Sequence, residues 1–148
     1  MGRFLKFWFL TRREKHLFFE AGILLLLFNV CVKTLAFRYI ENFLRARWND
    51  CAPDTGRSHA DDINLIILSL FRVANLFPWK SLCLSRSIAA FVMLRRRGIP
   101  AVMLAGAKFS EHSSLIAHAW VHTGHEISDS KSENSEFIAV VRIGNGPW

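Results

Sequence analysis

Cys83 stands at the head of Ser81-Leu-Cys-Leu-Ser-Arg-Ser-Ile-Ala-Ala-Phe-Val-Met-Leu-Arg-Arg-Arg-Gly98. Ser81 is a good N-cap, which makes Cys83 the second residue of a helix. Helix N-termini carry partial positive charge and unpaired N–H groups. Both favour thiolate over thiol, and the same amides can hold an oxyanion during acyl transfer. The competing reading of a lone cysteine is a small buried apolar residue. Downstream, His118-Ala-Trp-Val-His-Thr-Gly124 reads as a strand entering a tight turn, and Asp129 lies on the next strand. A helix-start thiol, a strand imidazole and a strand carboxylate follow in the order nucleophile, base, orienting acid.

The turn suggests how the last two meet. With Thr123-Gly124 as a two-residue hairpin loop, His122 faces His125 and Val121 faces Glu126. That register sets His118 opposite Asp129, and opposed residues share a face with Cβ atoms ~5 Å apart. One ring nitrogen is then bonded to the carboxylate and the other is left for the thiol. The pairing is equally compatible with a polar cross-strand contact without chemistry, and a bulge would spoil the register. Alternation groups Ile116, His118, Trp120 and His122 on one face and Leu115, Ala117, Ala119 and Val121 on the other. The small second set suits packing against the Cys83 helix. His118 must then reach Cys83 from the other face, at the edge of the helix packing.

Other candidates are weaker. His122 shares the His118 face but is expected opposite His125, not a carboxylate. His16, His59 and His112 sit in polar surroundings that need no chemistry. Cys31 falls in an apolar helix and reads as core; Cys51 lies in a polar loop. No cluster has metal-ligand spacing, and no cofactor is called for.

The elements that must position the site are helices first and strands after. Residues 3–47 read as helical, with a long apolar helix over Glu14–Lys33 and a second over Thr34–Arg47. Residues 48–59 form a loop rich in turn formers. Asp61 or Asp62 caps the next helix, which Pro78 ends near Leu76–Phe77. The Cys83 helix runs over Leu82–Arg97. Gly98 is its C′ residue, Pro100 follows, and Arg95, Arg96 and Arg97 complement its dipole. Strands are expected at Ala101–Ala105, Leu115–His122, His125–Asp129 and Phe137–Ile143. The class is α+β: a helical segment over residues 1–60, then a core over 61–148 with one catalytic helix on an antiparallel sheet.

The 148 residues include 19 Lys/Arg and 12 Asp/Glu, a net charge of +7. Nine of those bases and four of the acids fall in residues 1–50. Such a balance favours acidic peptides or anionic lipid; nucleic acid is disfavoured because no recognition motif is present. Three cysteines without pair spacing are free thiols, as in a reducing cytoplasm. Ala21–Val32 is an uncharged run of 12 residues, shorter than the ~20 a spanning helix needs. A buried or interfacial helix is favoured over a span, and no signal-peptide cleavage site follows.

The segment from Pro78 to Ala101, followed by Ala117-His-Ala-Trp-Val121 and Ser128-Asp129, resembles the transglutaminase-like leader peptidases of lasso peptide biosynthesis. The resemblance runs from about Pro78 to Val141. It implies a papain/transglutaminase-like cysteine protease that frees a ribosomally made core peptide from its leader, before a lasso cyclase closes the macrolactam. It implies Cys83 as nucleophile, His118 as base and Asp129 as its orienter. It also implies a precursor peptide substrate and, because the chain opens on the helical segment, a separate leader-binding protein. Arg86 matches the family pattern without an assignable role, and Trp79 suits site lining and packing alike. Two other readings stand beside this one: acyl transfer of another kind on the same fold, such as transglutamination, and a non-catalytic membrane-associated binding module. The expected location is cytoplasmic, with membrane association left open by the apolar stretch over residues 21–37.

Overall fold

Thr11 starts the first helix by a reciprocal cap. Its hydroxyl accepts from the Glu14 amide at 3.3 Å, while the Glu14 carboxylate accepts from the Thr11 amide at 2.8 Å. Helix α1 then runs over Arg12–Thr34 and buries Leu17, Ala21, Leu25 and Phe28, a stripe at helical spacing. In this computed structural model the described residues are 10–48, 50, 59–77, 83–123, 126–127 and 137–144. The Glu14 carboxyl is held below the usual carboxylate range by the Thr11 amide first, then the Thr11 hydroxyl and the Arg72 guanidinium. A lowered folded-state value gives stability that is present above the unfolded value, near pH 4.3, and is lost as pH falls through the folded one. Glu14→Gln should therefore unfold at a lower temperature than the parent at neutral pH, with the gap closing in acid. Thermal melts across that range check it.

Helix α2 spans Phe37–Trp48 and turns Ile40 and Leu44 inward. Helix α3 spans Ala60–Ala74 and presents Ile63, Ile66, Leu70 and Val73 to the same core. It begins ahead of the expected caps: Asp61 and Asp62 lie in its first turn, and His59 precedes it without a side-chain cap bond. Their charge still suits the N-terminal dipole, and Asp62 pairs with Arg13 of α1.

Helix α4 spans Cys83–Arg96 and ends as its sequence indicates. Gly98 adopts φ +72°, its amide donates to Arg95 at 3.1 Å, and the Ile99 amide donates to Leu94 at 3.1 Å. Those two bonds are the Schellman closure, which satisfies carbonyls the helix leaves open. The three arginines divide in function. Arg96 and Arg97 pair with Glu20, joining α4 to α1. Arg95 is instead buried, and donates to the backbone carbonyls of Trp48, at 3.0 Å, and Asp50.

Among the described residues four antiparallel strands follow: β1 over Val102–Phe109, β2 over Leu115–His122, β3 over Glu126–Ile127 and β4 over Ile138–Ile143. Their order is β3-β2-β1-β4. β1 is longer than Ala101–Ala105, because Gly106 and Lys108 continue the strand. The face carrying Met103, Val121 and Ile143 packs on Ile88, Phe91 and Leu94 of α4, in one core with the stripes of α1, α2 and α3. The architecture is α+β, helices laid on one face of an antiparallel sheet.

Candidate active site

Cys83 is the first residue of α4, and its side chain is exposed. Ser81, Leu82 and Trp79 lie outside the described residues, as does the expected Ser81 cap. One turn on, Ser87 is buried, and its hydroxyl donates to the Ala119 carbonyl of β2 at 2.8 Å. That bond fixes helix against strand. Further along α4, Phe91 lies beside Gly144, after β4, at the Ala101 end of the sheet. The helix therefore runs from the level of Ala119 toward that end. Cys83, ~6 Å back from Ser87, falls toward Ala117.

From that level outward no helix among the described residues covers the sheet. Ala117, Leu115 and Phe109 are exposed, as are Ile138 and Val140. With Ala107 and Lys108, the latter four line a shallow groove of about 400 Å³. The Cys83 thiol thus stands where the covered part of the sheet meets its open apolar end. Arg86 is partly buried, three residues along the helix.

His118 lies on β2 directly opposite Gly106 of β1. The small set of β2 does press on α4: Ala119 and Val121 are buried on that side. His118 consequently occupies the other face. Its imidazole stacks on Trp120, with centroids 5.9 Å apart, and tilts against Phe137 at 5.2 Å. Lys108 places its ammonium 4.7 Å above the Phe137 ring. Cys83 and His118 therefore share a level of the sheet but are not in contact. Among the described residues, no hydrogen bond joins them.

The hairpin register differs from expectation by one residue. β3 sets Glu126 opposite His122 and Ile127 opposite Val121, so three residues instead of two separate the first paired positions. A one-residue shift moves every side chain to the other face. The described ladder does not reach the expected pairing of His118 with Asp129. Asp129 itself lies outside the described residues. The same shift gives His122 a carboxylate-bearing residue opposite, Glu126, where the sequence pointed to His125. That pairing was hidden because loop length had to be guessed from a Thr-Gly dipeptide.

The remaining candidates fall into place. His112 is exposed in the Ser110–Ser114 turn, which closes with a 2.8 Å bond from the Ser110 amide to the Ser114 carbonyl. His16 is exposed on α1, Cys31 is partly buried, and Cys51 lies outside the described residues.

Comparison with known proteins gives one positive result, covering residues 24–142. No curated protein and no solved structure matches the chain. The matched span runs from within α1 into β4, taking in the Cys83 helix and the His118 strand. Helix-start cysteine, antiparallel sheet and this match agree: the chain belongs to the transglutaminase-like superfamily.

Proposed function

We propose that this chain is a cysteine peptidase that removes the leader from a ribosomally made precursor peptide of the lasso type. The observation that supports the reading is Cys83, exposed at the start of α4, the helix that packs on the sheet whose outer end carries exposed apolar side chains. A peptide laid along that groove brings its carbonyl carbon to the sulfur. The thiolate attacks, and the free amides of the first turn receive the oxyanion. The amine of the core peptide leaves with a proton, and water then cleaves the thioester to return the thiol. The sequence resemblance supports the substrate class, and superfamily membership supports the thioester chemistry. A separate leader-binding protein delivers the precursor, and a lasso cyclase takes the product.

His118 is proposed as the base and Asp129 as its orienter. His122, opposite Glu126, is the rival base. Distance favours His118: five residues separate the Ala117 level from His122, ~16 Å along a strand. His118→Ala should therefore lower cleavage by ~10²–10⁴-fold, the usual contribution of a general base, and His122→Ala by far less. The measurement is mass spectrometry of precursor, chain and leader-binding protein combined. It also names the acceptor, because water gives a leader carboxylate whereas an added amine retained on the leader marks acyl transfer. An inverted order of the two histidine variants would assign the base to His122.

A further inference from the structure

We infer that the outer face of α1 is a docking surface for an anionic lipid bilayer, on which the protein lies with α1 in the membrane plane. Phe19, Ile23, Leu26, Leu27 and Val30 recur at steps of three and four on that face, each between 46% and 66% exposed. Continuing the same line, Arg12 and His16 precede them and Lys33 follows, all three exposed. The stripe is apolar in its middle and basic at both ends. Past Thr34 the pattern goes on, with Leu35, Tyr39 and Phe43 exposed among Arg38 and Arg47. Apolar side chains between cations match the boundary between acyl chains and anionic headgroups. A net charge of +7, concentrated in residues 1–50, has the same sign requirement.

The geometry favours lying on the bilayer over crossing it. α1 is long and apolar enough for a span by composition. Its opposite face, however, is committed to the protein core through Leu17, Ala21, Leu25 and Phe28. Ion pairs fasten it at both flanks, from Arg13 to Asp62 and from Glu20 to Arg96 and Arg97. A spanning α1 would have to leave all of these. The uncharged run is 12 residues, ~18 Å of helix, against a hydrocarbon core of ~30 Å. The outward stripe is the apolar part of α1 that lies exposed on the surface, where it can meet lipid.

The test is flotation of the full chain with phosphatidylcholine vesicles, with and without phosphatidylglycerol. The parent should float with the mixed vesicles, more weakly with phosphatidylcholine alone, and salt should weaken binding without abolishing it. The double variant Ile23→Glu/Leu27→Glu keeps helix-forming residues at exposed positions, and its partitioning should fall by about tenfold or more. Arg12→Glu/Lys33→Glu should lose affinity only for the mixed vesicles. Circular dichroism establishes that each variant is folded. Failure of the parent to float would overturn the proposal, as would a folded Ile23→Glu/Leu27→Glu variant that binds like the parent. So would resistance to alkaline carbonate extraction, which marks a span. Dimerisation without lipid that the same variant abolishes would assign the stripe to a second copy of the chain and overturn it equally.

Discussion

If the proposed peptidase reading holds, Cys83→Ala should abolish leader cleavage, lowering the rate by at least ~10³-fold, because the sulfur is the nucleophile of the reaction. The fold survives the change. Cys83 is exposed and opens α4 without entering the core, so the stability cost stays within about 0.5 kcal/mol. Alanine is also the best helix former. Cys83→Ser makes the sharper comparison, since it keeps size and polarity at the helix start and removes only the sulfur. Both variants should give the parent circular dichroism spectrum and the parent unfolding midpoint, with no cleaved leader by mass spectrometry. Cys31→Ala provides the control: Cys31 is partly buried in α1, packed against the core, and its loss should leave cleavage in place. Retained cleavage in Cys83→Ala would remove the peptidase reading. The fold would then stand with its superfamily and without this activity.

What the sequence showed was whatever is settled within one turn of chain. The end of α4 was legible because a left-handed glycine, a following proline and a cationic last turn are local devices. The β2 alternation was legible for the same reason, and it correctly put Ala119 and Val121 against the helix. The register of β3 on β2 depended on the number of loop residues, where an error of one reverses the face. Thr123-Gly124 looks like a complete two-residue loop, yet His122 pairs with Glu126, one residue further along than such a loop allows. Arg95 was misread for a different reason. Three consecutive arginines at a helix end have one local explanation, the dipole. The carbonyls that claim Arg95 come from Trp48 and Asp50, 47 and 45 residues away. The candidate site followed the same division. The positions of Cys83 and His118 on their elements were readable, and alternation already set His118 on the face away from the helix; the ring packing of His118 on Trp120 and Phe137 is a tertiary fact.

Gly106 links that sheet to the site, and Gly106→Ala should cost about 3 kcal/mol. A Cβ there would stand 2.5 Å from the Ile138 carbonyl oxygen, 3.0 Å from its carbon and 3.2 Å from the Ala139 Cα. All three are backbone atoms, so no side-chain rotation relieves the contact and β4 must move. The close approach exists because β4 carries an extra residue at this point. Ala105 pairs with Val141 and Gly106 with Ala139, which leaves Val140 bulged out and exposed. Gly106 also faces His118 across the β1–β2 ladder, and Phe137, next to Ile138, rests on that imidazole. Displacing β4 therefore shifts the ring that holds His118. Gly98→Ala separates this steric cost from the ordinary glycine effect. Gly98 sits at φ +72° with nothing within 4 Å of an added Cβ, so its substitution carries only the left-handed penalty, about 1 kcal/mol. Urea unfolding of the two variants should give equal slopes and a much lower midpoint for Gly106→Ala. Equal midpoints would mean that the bulge yields freely and that β4 does not fix the surroundings of His118.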